Sequence, residues 1–181
     1  MAPESPIWLK LRYSSVSAAL MQSGYEAASW GDKVTISFSD GEMRFQSDGL
    51  PDHGHLESYA MKTQEGFGCC ASVDAQDYDI TISLEPELAS SPTDAGTGAI
   101  GYAVSGSVFY NPFEGAGDSD IYAVEEGENV VDGSPFIDDC AGHPAPGKNE
   151  YHYHGIPTCT VAALDTPGEH SKLVGFLLDG F

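Results

Sequence analysis

Apolar and polar residues alternate in short runs along this chain, and most runs end in a turn signal. Lys33 to Phe38 (KVTISF) alternates with β-branched residues, Ser39-Asp40-Gly41 turns it, and Glu42 to Gln46 (EMRFQ) resumes the alternation, which predicts a hairpin. Asp77 to Leu84 (DYDITISL) carries the same pattern. Ala99 to Tyr110 (AIGYAVSGSVFY) is a longer apolar run broken by glycines, which predicts a strand, a bend and a second strand. Leu173 to Leu178 reads as one more strand, and Pro86 to Gly98 (PELASSPTDAGTG) as a surface loop. Helix is expected only near Val16 to Ala28, with two turns from Ser15 to Met21.

The resulting expectation is a mainly β fold: a single compact β-rich domain, sandwich-like or of irregular antiparallel sheets, with long turn-rich loops and little helix. The 21 glycines and 11 prolines fit this punctuation, and 181 residues are enough for one ordinary core. Residues 1–30 are expected to form an N-terminal extension, partly helical or irregular, and residues 31–181 the domain itself.

Charge removes several function classes. With 7 basic against 28 acidic residues the formal charge is -21, which repels nucleic-acid phosphates and anionic lipid surfaces. No apolar run approaches the roughly 18 residues that a bilayer-crossing helix needs, so neither nucleic acid nor membrane insertion is expected. The carboxylate pairs Asp118/Asp120 and Glu125/Glu126 lack the spacing of a calcium loop and read as a solubilising surface.

Four cysteines in an acidic, turn-rich chain point to an oxidising compartment. Adjacent Cys69 and Cys70 would be strained as a mutual bridge, whereas Cys140 and Cys159 flank a histidine segment and make a natural disulfide across it. The competing reading is buried thiols.

Five of the six histidines are grouped: His53 with His55, His143 after a glycine, and His152 with His154. Residues two apart on a strand share a face, so Tyr151-His152-Tyr153-His154 presents two imidazoles on one side and two tyrosines on the other. The turn-forming Pro144-Ala145-Pro146-Gly147 folds His143 back over that strand and gives a three-histidine set suited to zinc or copper. His53 or His55 is a further candidate ligand, although Gly54 weakens any strand-face argument for that pair. Asp138, Asp139 or Glu150 is expected to supply a carboxylate, as a ligand or as the acceptor that fixes an imidazole. His170 reads as a surface histidine. The alternative without metal is an irregular segment stabilised by its own histidine and tyrosine hydrogen bonds.

Asp139-Cys140-Ala141-Gly142-His143-Pro144, then Tyr151-His152-Tyr153-His154, Pro157 and Cys159, resembles the D-x-C-x-G-H-P…Y-H-Y-H-x-x-P-x-C signature of the YHYH domain family. His170-Ser171 and Gly175 to Phe181 are similar to its H-S…G-x-x-x-D-G-F stretch, and Asp48 to His53 and Ala99 to Gly106 to upstream segments. The resemblance runs from about Gly31 to the C-terminus, with Asp48 and Ser105 standing where asparagine is usual. It implies a secreted or surface-associated protein and supports the histidine site without naming a reaction. The family pattern normally continues past D-G-F, so a C-terminal continuation is expected, and a missing signal peptide is no argument for the cytoplasm.

Three functions follow. The first is an extracellular or periplasmic metal-binding domain, with His143, His152 and His154 as ligands of a divalent copper or zinc ion and Cys140–Cys159 as a staple. The second is an enzyme on the same site, hydrolytic or copper-oxidative, with Tyr151, Tyr153 or Asp139 as catalytic candidates. The third is a non-catalytic surface module contacting a glycan or other small molecule through its tyrosines.

Overall fold

A computed structural model describes residues 17–54, 72–111, 130–131, 134–135, 137–145 and 147–180. Helix α1 (Ala18–Glu26) starts where Ser17, in extended backbone, accepts the Leu20 N–H on its side-chain oxygen, and buries Tyr25. Strands β1 (Thr35–Ser39) and β2 (Glu42–Ser47) form the expected hairpin, and β3 (Tyr78–Ser83) pairs antiparallel with β2 to complete a three-stranded sheet. Asp40 and Gly41 both take positive φ, 51° and 80°, as a two-residue hairpin turn with right-handed strand twist requires.

Strands β4 (Ala99–Ala103) and β5 (Val108–Tyr110) flank the glycine bend predicted between them. They belong to a five-stranded sheet that also holds β8 (Gly142–Pro144), β9 (Tyr151–Tyr153) and β10 (Gly175–Leu177), in the order β10-β4-β5-β9-β8. A small pair, β6 (Val130–Val131) with β7 (Ser134–Pro135), stands apart from it. A second helix, α2 (Thr158–Leu164), follows the histidine segment. Periodicity did not predict α2, because about two turns are too short to show a helical repeat. The fold is mainly β, as expected.

The three- and five-stranded sheets share one core. Alternation along β2 buries Met43 and Phe45, which meet Tyr102 and Phe176 of the larger sheet, with ring centroids 5.3 Å (Phe45–Tyr102) and 5.2 Å (Phe45–Phe176) apart. Tyr25 and Trp30 pack into the same cluster, which joins the described part of residues 1–30 to the core. Buried hydroxyls tie the sheets at one end: Ser47 Oγ donates to the Gly106 carbonyl and Ser107 Oγ to that of Gly49, each at 2.9 Å. A smaller cluster of Ala103, Tyr151 and Tyr153, with Phe109 and Val73 against it, underlies the candidate site.

Candidate metal centre

Strand β9 lies inside the larger sheet, parallel to β5 on one side and antiparallel to β8 on the other. Tyr151, His152 and Tyr153 are all buried despite alternating in direction, because Ala103, Phe109 and Val73 cover the tyrosine face while Tyr110 and His143 cover the histidine face. The β8–β9 turn is closed by Ala145 N–H to the Glu150 carbonyl at 2.8 Å and Asn149 N–H to the Ala145 carbonyl at 3.0 Å. It places His143 directly opposite His152 in register, on the same face.

His154, two residues beyond His152, completes the group. One ring nitrogen from each of the three lies within 4.8 Å of the other two, and the residues are only 2%, 2% and 6% exposed in the order His143, His152, His154. Sequence spacing therefore anticipated both the shared face of His152 and His154 and the fold-back of His143.

The hydrogen bonds fix two tautomers. His152 Nδ1 stands 3.1 Å from the Glu150 carbonyl and His154 Nδ1 2.7 Å from that of Asn111. A carbonyl only accepts, so each Nδ1 carries its proton and, in the neutral ring, each Nε2 keeps a bare lone pair. Those two Nε2 atoms face one another at 2.8 Å. Burial, with neighbouring imidazoles adding to it, holds His152 down at about 3 and His143 well below the ordinary histidine range; burial also lowers His154, against a smaller opposing effect of its bond to Asn111. The centre is a set of neutral imidazoles whose lone pairs converge.

The oriented acceptors are main-chain carbonyls. The Glu150 carboxylate accepts instead from Tyr78 Oη, at 2.6 Å, and from Tyr110 Oη. Burial and that carboxylate together raise both phenols far above their usual value. Tyr110 also stacks on His152, ring centroids 4.0 Å apart, so Glu150 steers this imidazole twice, through its carbonyl and through Tyr110. No local sequence signal marked Tyr110 or Asn111; both arrive through the parallel β5–β9 pairing.

The tyrosines occupy the opposite face. Tyr151 Oη donates to the Asp138 carboxylate, at 2.9 and 3.1 Å, and that carboxylate also accepts the N–H groups of Cys140 at 2.9 Å and Gly142 at 3.0 Å. Asp138, two residues before Cys140, is thus the acid that shapes the motif's first turn. The D-x-C spacing of the signature falls on Asp138, not on Asp139 where the sequence match opens; Asp139 is exposed and offers its carbonyl to Thr158 Oγ1 at 2.6 Å.

Tyr153 Oη meets Ser105 Oγ at 2.9 Å and His53 Nε2, and burial pushes its phenol up to about 12. Both motif tyrosines are fully buried, so neither has a ring face open to a sugar. His53 stands with them, 5.9 Å from the Tyr151 ring and 5.8 Å from that of Tyr153, on the far side of β9 from the three imidazoles. It is not brought into the triad, because alternation along β9 sends Tyr153 and its partner away from His152. His55, Cys69 and Cys70 lie outside the described residues. His170 is exposed, its Nδ1–H donating to the Ser171 carbonyl at 2.9 Å. Cys140 and Cys159 form the expected disulfide, Cα atoms 4.9 Å apart.

No curated protein and no solved structure matches the chain. A family model described as YHYH protein matches residues 79–181, more than half of the chain, and this span contains all three clustered histidines, the disulfide and the two strands that carry the motif. The chain belongs to the YHYH protein family.

Proposed function

We propose that the protein is an extracytoplasmic metal-binding domain in which His143, His152 and His154 ligate a copper or zinc ion. The observation that carries this reading is the facing pair of Nε2 lone pairs, 2.8 Å apart, with both Nδ1 protons committed to carbonyls. Two such lone pairs repel, and a cation between them turns the repulsion into coordination. Imidazoles held neutral by burial are already in the ligating state, so binding has no protons to expel near neutral pH. The carbonyls of Glu150 and Asn111 serve as the outer acceptors that histidine ligands commonly have.

The three imidazoles would hold such an ion as nitrogen ligands and leave a fourth position for water. The disulfide and the strongly acidic chain support an oxidising location outside the cytoplasm. A water on an open position of the ion is what hydrolytic or oxidative chemistry would use. Tyr151 and Tyr153 face away from that position, which favours binding over catalysis through them.

The test is elemental analysis after separate reconstitution with copper and zinc. One equivalent per chain is expected for the unaltered protein, falling to background in the His152→Ala/His154→Ala double variant, with circular dichroism as the folding control. A correctly folded protein that retains no ion from either metal refutes the reading.

A further inference from the structure

A second group of ligand atoms lies on the opposite face of β9. His53, Cys140 and Cys159 each offer one nitrogen or sulfur within 4.8 Å of the others, and the two sulfurs are joined as a disulfide. Cys159 and His53 are only half-buried, so this bond is within reach of a reductant.

The backbone around the sulfurs is held by bonds that do not depend on the disulfide. Asp138 N–H donates to the Gly142 carbonyl at 2.9 Å, and its carboxylate takes the Cys140 and Gly142 N–H groups. His154 N–H donates to the Ala141 carbonyl at 3.2 Å, and Thr158 Oγ1 to that of Asp139 at 2.6 Å, which ties the start of α2 to the turn before β8. Two thiols released here remain neighbours.

His53 is set up to join them. Its Nδ1–H donates to the Gly54 carbonyl at 2.8 Å, which leaves Nε2 as the bare nitrogen, accepting from Tyr153 Oη. That hydroxyl has a second partner in Ser105 Oγ at 2.9 Å, so Nε2 can be given up without stranding a buried phenol.

We propose that reduction of Cys140–Cys159 creates a metal site, a Cys2His set completed by His53, that takes a zinc-class divalent ion. A dithiol donates two electrons and two protons, becoming a disulfide as the protein bond opens to two thiols. The ion then displaces both thiol protons and binds two thiolates and one imidazole, leaving a fourth position for water. Oxidation reverses this and expels the ion, so the site reads out the local redox state. It uses none of the residues of the three-imidazole centre and stands or falls separately from it.

Cobalt(II), an optical substitute for zinc, tests the proposal in the full chain after reduction by a phosphine, which does not itself bring thiols to the metal. A thiolate-to-cobalt charge-transfer band is expected at one equivalent in the reduced protein and absent in the oxidised one. Cys140→Ser and Cys159→Ser each abolish it, whereas Cys69→Ser/Cys70→Ser and His152→Ala/His154→Ala leave it. His53→Ala weakens the cobalt affinity at least about tenfold. Absence of the band from the reduced protein, its survival in Cys140→Ser, an unchanged affinity in His53→Ala, or loss of the β-sheet dichroism on reduction each overturns the proposal.

Discussion

His143 and His152 carry an electrostatic cost that pH exposes. Both are nearly inaccessible to solvent, and burial holds their pKa values far below the 6.5 of an unfolded chain, at about 3 for His152. The unfolded state therefore binds more protons than the folded one between those limits, and stability rises with pH there. Acidification below about pH 6.5 is expected to destabilise the fold, with each buried histidine contributing up to about 1.4 kcal/mol per pH unit until its folded-state pKa is reached. Urea unfolding at pH 7.5, 5.5 and 4.5 checks the sign. Replacing His152 by Gln removes one titrating group and makes the dependence shallower. A bound ion moves the loss to lower pH, because protons must then compete with metal.

At the scale of elements, the site depends on how closely β8 can approach β9. Gly142 sits opposite Tyr153 in register, and a Cβ added there would stand 2.5 Å from the Tyr151 ring. Gly142→Ala must push that ring off the Asp138 carboxylate or separate the strands. A loss of at least about 1–3 kcal/mol follows from overpacking, together with weaker metal retention, because His143 is carried on the same strand. Thermal unfolding and elemental analysis of this one variant measure both effects. The alternation that exposes this sensitivity was visible in YHYH itself, where a two-residue repeat separates imidazoles from phenols. The hairpin at Asp40-Gly41 was equally visible, because positive φ at adjacent positions demands such residues. The parallel pairing of β5 with β9 was not, since strand neighbours distant in sequence leave no local mark.

Over the whole molecule, the formal charge of -21 is spread on a fold with few basic partners for it. Self-repulsion among carboxylates opposes the compact state and is screened by salt. Thermal stability is accordingly expected to rise between low and moderate ionic strength, and retention on a heparin column to be absent; a melting temperature independent of salt contradicts the first. The sequence by itself determined the β-rich class, the first hairpin, the Cys140–Cys159 bridge and the shared face of His152 and His154, because each depends on residues close in the chain or on a period of two. Tertiary structure decided the rest. It committed the Asp138 and Glu150 carboxylates to tyrosines, supplied main-chain carbonyls to the imidazoles, and set His53 beside the disulfide across β9 from the other three. The physical reason is directional: spacing says which residues share a strand face, but only strand order says which atoms meet them there.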